Sequence, residues 1–91
     1  MAVGNYGTVS VTTTAKQIVG ANEKRKSISI VNSSNRDLFI GPDSSVTAAN
    51  GIPLYGYTTR DSAKIPEGWL GPIFGITSAG TVDVRYWETV L

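Results

Sequence analysis

Hydrophobic and polar positions alternate along most of this chain. In Thr8-Val9-Ser10-Val11-Thr12-Thr13 the two valines fall on one side and the hydroxyls on the other, as in a half-buried strand. Gln17-Ile18-Val19 predicts a short second strand. A polar loop covers residues 20–26, and Ser27-Ile28-Ser29-Ile30-Val31-Asn32 then alternates again with Ile28 and Ile30 inward. Ser33-Ser34-Asn35-Arg36-Asp37 is turn chemistry, so Leu38-Phe39-Ile40-Gly41 reads as the returning strand of a β-hairpin.

Val46-Thr47 could pair briefly, and Asn50-Gly51 suits backbone at positive φ. Pro53 has no N–H for a ladder, which puts Ile52-Pro53-Leu54 on an edge or at a loop entrance. Residues 58–65 predict a strand with one wet face. Ile73-Phe74-Gly75-Ile76 is a short apolar strand, and Ser78-Ala79-Gly80 is the turn after it. The clearest strand is Thr81-Val82-Asp83-Val84-Arg85-Tyr86-Trp87-Glu88, with Val82, Val84 and Tyr86 inward, Asp83 and Arg85 outward.

No stretch holds a 3.6-residue period over three turns. Strand signals at this spacing predict an all-β fold: a single small antiparallel β-sandwich or jelly-roll-like barrel of six to eight short strands. It forms one domain over residues 1–91, with residues 1–7 as a short N-terminal arm.

Composition sharpens this picture. Charged residues are only 16% of the chain, against ~25% in ordinary soluble domains, and ten Thr and nine Ser keep the surface wet instead. A net charge of +1 offers no basic excess to grip a phosphate backbone, so nucleic acid is not expected as a partner. No apolar run approaches the ~18 residues of a membrane span. There is no Cys, hence no disulfide framework, and residues 1–14 lack the charged start and apolar stretch of a secretory leader. Low charge suits a protein held in an assembly.

Catalytic chemistry is poorly supplied. Without His or Cys the chain lacks the commonest general base, the commonest metal ligand and the strongest nucleophile. The acids Glu23, Asp37, Asp43, Asp61, Glu67, Asp83 and Glu88 are dispersed, each in a turn or on an outward face, and read as solvated. The expectation is a non-enzyme with no cofactor and no metal. Asn32-Ser33-Ser34 fits the glycosylation pattern but carries no weight without a leader.

Interface candidates stand out instead. Tyr55, Tyr57, Trp69 and Trp87 either close the ends of the sandwich, contact another subunit or form a sugar platform; alternation turns Trp87 outward. Lys24 and Arg25, in Glu23-Lys24-Arg25-Lys26, are either a solvated loop or a basic tip reaching an acidic neighbour. Leu91 ends an apolar pair that docks on the chain's own sheet or on a neighbour.

Four segments follow one another: Arg25-Lys26-Ser27-Ile28-Ser29-Ile30-Val31-Asn32, Leu38-Phe39-Ile40-Gly41, Asn50-Gly51-Ile52-Pro53-Leu54, and Ile73-Phe74-Gly75-Ile76-Thr77-Ser78-Ala79-Gly80-Thr81-Val82-Asp83-Val84. This order resembles small β-sandwich virion proteins of tailed bacteriophages, over residues 24–88. Residues 55–65 depart from that pattern. The resemblance implies a capsid cement or decoration protein on the capsid surface, made in the host bacterial cytoplasm. Its partners would be the major capsid protein and itself, as a homotrimer or a dimer. The alternatives are a tail, head–tail connector or fibre-attachment protein, and a carbohydrate-binding module.

Overall fold

The computed structural model describes residues 3–56, 62–64 and 68–90. They form β1 (Val3–Val11), β2 (Lys16–Val19), β3 (Arg25–Asn32), β4 (Leu38–Gly41), β5 (Ile52–Leu54), β6 (Ser62–Lys64), β7 (Ile73–Thr77) and β8 (Val82–Val90). Every pairing is antiparallel. One sheet has the order β1-β8-β3-β6, the other β2-β7-β4-β5. This interleaving of the chain between two facing four-stranded sheets is a jelly roll. Among the described residues no helix is long and apolar enough to cross a membrane.

The alternation read from sequence sets which side chains face inward. Val11, Ile28, Ile30, Val82 and Val84 of the first sheet meet Ile18, Leu38, Ile40, Leu54 and Ile73 of the second, with Val9 and Tyr86 packed at the margin. The core is aliphatic and one layer thick. A Cα radius of gyration of 12.3 Å matches the roughly 12 Å expected of one domain of this length.

Several local expectations change. β3 and β4 are not a hairpin: β3 pairs with β8 and β6, β4 with β7 and β5, so residues 33–37 arch from one sheet to the other. A turn sequence reverses the chain equally well within a sheet or across a core, and apolar faces on both strands favour the arch. β4–β5 is the hairpin instead, with a loop over residues 42–51 in which Val46 is buried rather than paired in a strand. The proposed arm is largely strand, because Val3 to Gly7 continue β1 along β8. Within the stretch read as a wet-faced strand, β6 covers Ser62–Lys64, and residues 58–61 and 65 lie outside the described residues.

Two bulges override simple alternation. Between Gln17 and Val19 the β2–β7 register shifts, which lets the consecutive Ile18 and Val19 both be buried. Between Arg25 and Ser27 the β3–β8 register also shifts. Ser27 and Ser29 lie on the outer face of β3, and Arg25, two residues earlier still, would join them in a regular strand. The extra residue, Lys26, turns Arg25 inward opposite Val90.

Candidate functional site

The outer face of the first sheet is built from the even positions of β1 and the odd positions of β8 and β3. Register places Tyr6 opposite Trp87, and Trp87 opposite Ser29. Both rings stand in solvent, Tyr6 at 82% and Trp87 at 65% exposure. Around them lie the small residues Gly4, Thr8, Ser27 and Thr89, the last two sharing a 2.7 Å hydroxyl hydrogen bond. The Trp87 indole leans across β1, so that a Cβ on Gly4 would sit 3.1 Å from Nε1. On the inner face Tyr86 covers Gly7 in the same way, its hydroxyl 2.9 Å from where a Cβ would be. The two glycines leave room for the Trp87 and Tyr86 rings against β1, while Tyr6 stands almost wholly in solvent.

The outward placement expected of Trp87 is therefore observed, and the residue opposite it on β1 is the likewise exposed Tyr6. The four aromatic candidates do not form one cluster. Tyr55 is half exposed just beyond β5, where Leu54 accepts from Asn32 at one end of β3. Trp69 lies at the other end of β3, beside Arg25. Seven residues of strand separate the two ends by roughly 23 Å. Tyr57 and Leu91 lie outside the described residues.

Arg25 is not a basic tip. Its side chain is 1% exposed and its Nε donates to Glu88 Oε2 at 2.6 Å. The rest of the guanidinium donates to the carbonyls of Gly20 at 2.8 Å, Gly71 at 2.9 Å and Trp69 at 3.2 Å. Glu88, expected on the surface, is buried as well, and its Oε1 accepts from Asn5 at 3.2 Å and Asn22 at 3.4 Å. Burial pushes the Glu88 carboxyl up, but the hydrogen bonds from Arg25, Asn5 and Asn22 together with the Arg25 charge outweigh it and hold the group below the usual carboxylate value. Lys24 is exposed in the adjoining turn, its N–H bonded to Asn22 Oδ1.

This lock fixes the loop that carries Trp69 and Leu70. Asn22 N–H donates to the Leu70 carbonyl at 2.8 Å. Trp69 folds back over Gly71, where any Cβ would overlap the ring, and its Nε1 donates to the Pro72 carbonyl at 3.1 Å. Trp69 and Leu70 remain more than a third exposed. An Arg fork held on three loop carbonyls presents them as a fixed projection.

Asn32 plays the corresponding part at the opposite end. It is fully buried. Its amide donates to the carbonyls of Arg36 and Leu54, each at 2.7 Å, and its Oδ1 accepts the Ser34 N–H at 3.0 Å. Ser34 Oγ accepts the Asp83 N–H, and Ser33 N–H donates to the Asp83 carbonyl, which joins the arch to β8.

Comparison with known protein families, with curated proteins and with solved structures finds no match. Among the described residues no group of three or more His, Cys, Asp or Glu is placed to hold a metal. A groove of about 300 Å³ opens between β4, β5 and their loop, lined by Ile40, Pro42, Asp43, Val46 and Ile52. Its carboxylate, Asp43, is engaged by Ser45, whose hydroxyl and N–H hydrogen bonds hold it below the usual range. What the described residues present instead is exposed aromatic and apolar surface: Tyr6 with Trp87, Trp69 with Leu70, and Ile52 and Tyr55 at and just beyond β5.

Proposed function

We propose that this chain is a structural protein of a bacteriophage particle, most simply a cement or decoration protein that binds the major capsid protein shell. The observation that carries the reading is that two exposed aromatic residues, Tyr6 and Trp87, stand opposite each other on one sheet face, with the Trp87 indole seated over Gly4. Aromatic residues of this kind concentrate binding energy at subunit interfaces. The jelly-roll order supports the reading by analogy, since capsid domains use it, although lectin domains do too. Binding one shell subunit through the ring pair and another through the Trp69–Leu70 projection would make modest contacts add through effective concentration.

The test is the copy number of the chain in purified particles, measured by quantitative mass spectrometry against the major capsid protein. A number comparable with the shell subunit supports the cement role. A handful of copies moves the protein to the tail or connector, and absence from the particle removes the virion reading. The same rings, beside the Ser27 and Thr89 hydroxyls, also suit a pyranose face; a glycan array with hits abolished by Trp87→Ala would favour the carbohydrate-binding alternative.

A further inference from the structure

The jelly roll leaves four edge strands, and three of them carry features that discourage pairing. β2 has Lys16 and a bulge. β5 is three residues long, with Pro53 at its centre. β6 carries a charge, Lys64, within its described span. β1 has none of these. It is nine residues, Val3–Val11, without a charge, a proline or a register shift against β8. Among the described residues nothing pairs with its other side.

We infer that β1 is a self-pairing edge, and that its occupant is β1 of a second copy, antiparallel about a two-fold axis. This deepens the assembly reading, on which its biological use rests, but it concerns a separate surface. Gly7 is the midpoint of β1. An axis through it pairs the whole strand with itself: Val3 opposite Val11, Gly4 opposite Ser10, Asn5 opposite Val9 and Tyr6 opposite Thr8. No charge meets a charge, and the largest side chain meets a β-branched one, a favourable cross-strand pair. A foreign extended peptide would need pockets for its alternate side chains. The outer face of β1 offers Gly4, Thr8 and Ser10 beside Tyr6, a surface too shallow to supply them.

The symmetry has a functional consequence. Strands related by a two-fold axis normal to the sheet keep their outer faces on the same side. The result is a continuous eight-stranded sheet carrying two Tyr6–Trp87 pairs next to the seam. Both copies then engage a shell together, and the second contact becomes intramolecular. The arrangement is a dimer and is incompatible with a trimer formed through the same strand.

Sedimentation equilibrium of the full chain over a concentration series tests this, together with amide hydrogen exchange. Two guarded variants keep the single chain folded: Thr8→Glu faces Arg85 across the β1–β8 register, and Ser10→Lys faces Asp83. The expected result is a monomer–dimer equilibrium weakened at least about ten-fold by either variant. Alternate β1 amides should also gain protection as concentration rises. A chain that stays monomeric throughout, a trimer, a dimer indifferent to both variants, or β1 protection appearing only with another protein would each overturn the inference. Shell binding separates the two readings. A monomeric variant that still binds shells more weakly leaves the cement role standing, whereas a β1 dimer that ignores shells supports this inference and ends that role.

Discussion

Replacing Arg25 by Met removes the centre of the buried lock while keeping much of its aliphatic volume. The guanidinium is 1% exposed and makes four hydrogen bonds, to Glu88, Gly20, Gly71 and Trp69. Without it the Glu88 carboxylate stays buried with Asn5 and Asn22 as its remaining partners. Breaking a buried pair from one side costs about 3–5 kcal/mol, because the surviving charge is uncompensated. A 91-residue domain has about 5–14 kcal/mol of stability in total. The midpoint of thermal unfolding should therefore fall by roughly 12–40 °C. Removing both charges, in Arg25→Met with Glu88→Met, should recover most of this loss, since a well-packed apolar pair commonly replaces a buried ion pair at little cost. The double variant should still expose Trp69 in fluorescence, because the loop carbonyls have lost their donor. The lock also titrates. The folded Glu88 carboxyl lies below its ordinary 4.5, so its contribution is complete above that value and disappears as pH falls through the lowered one. Glu88→Gln should remove that acid-limb dependence. Circular-dichroism melts between pH 2 and 7 measure all of this. An Arg25→Met protein within about 1 kcal/mol of the parent, or an unchanged acid limb in Glu88→Gln, would refute the reasoning.

Other expectations follow from single sites. Asn32→Ala leaves the Arg36 and Leu54 carbonyls without their buried donor and should cost about 2–4 kcal/mol in denaturant melts. Asn32→Asp should be worse at neutral pH and improve on acidification, because a carboxylate there faces two carbonyl oxygens until it is protonated. Gly75→Ala places a Cβ 2.8 Å from Ile18 Cδ1 and 3.1 Å from Leu38 Cδ1, an overpacking that should cost about 1–3 kcal/mol by the same melts. Gly80 has φ +74° at the turn into β8, so Gly80→Ala should cost about 1 kcal/mol or more in a backbone region that side chains avoid. Trp87→Ala should change stability by less than about 1 kcal/mol, and on the proposed cement role it should weaken co-sedimentation with capsid shells.

Alternation alone identified the first sheet's share of the aliphatic core. Val11, Ile28, Ile30, Val82 and Val84 lie where a period of two puts them, because a strand with one buried face must repeat that way. The same rule turned Trp87 outward, and extended two residues past Tyr86 it also puts Glu88 inward, a signal present in the sequence but set against the general habit of acids to be solvated. Other features had no local signature. Arg25 is buried because one extra residue at Lys26 shifts the register, and a bulge is decided by pairing between strands far apart in the chain. Tyr6 gains its meaning from Trp87, 81 positions away, through the β1–β8 ladder. Whether residues 33–37 closed a hairpin or bridged two sheets depended on which strands finally paired, since turn chemistry specifies a reversal and not its destination. The sequence by itself determined the fold class, most of the strands and the inward faces of β1, β3 and β8, because those rest on local periodicity. The tertiary structure decided the jelly-roll order, the buried ion pair and the exposed ring pair, because each joins residues that only the folded sheets bring together.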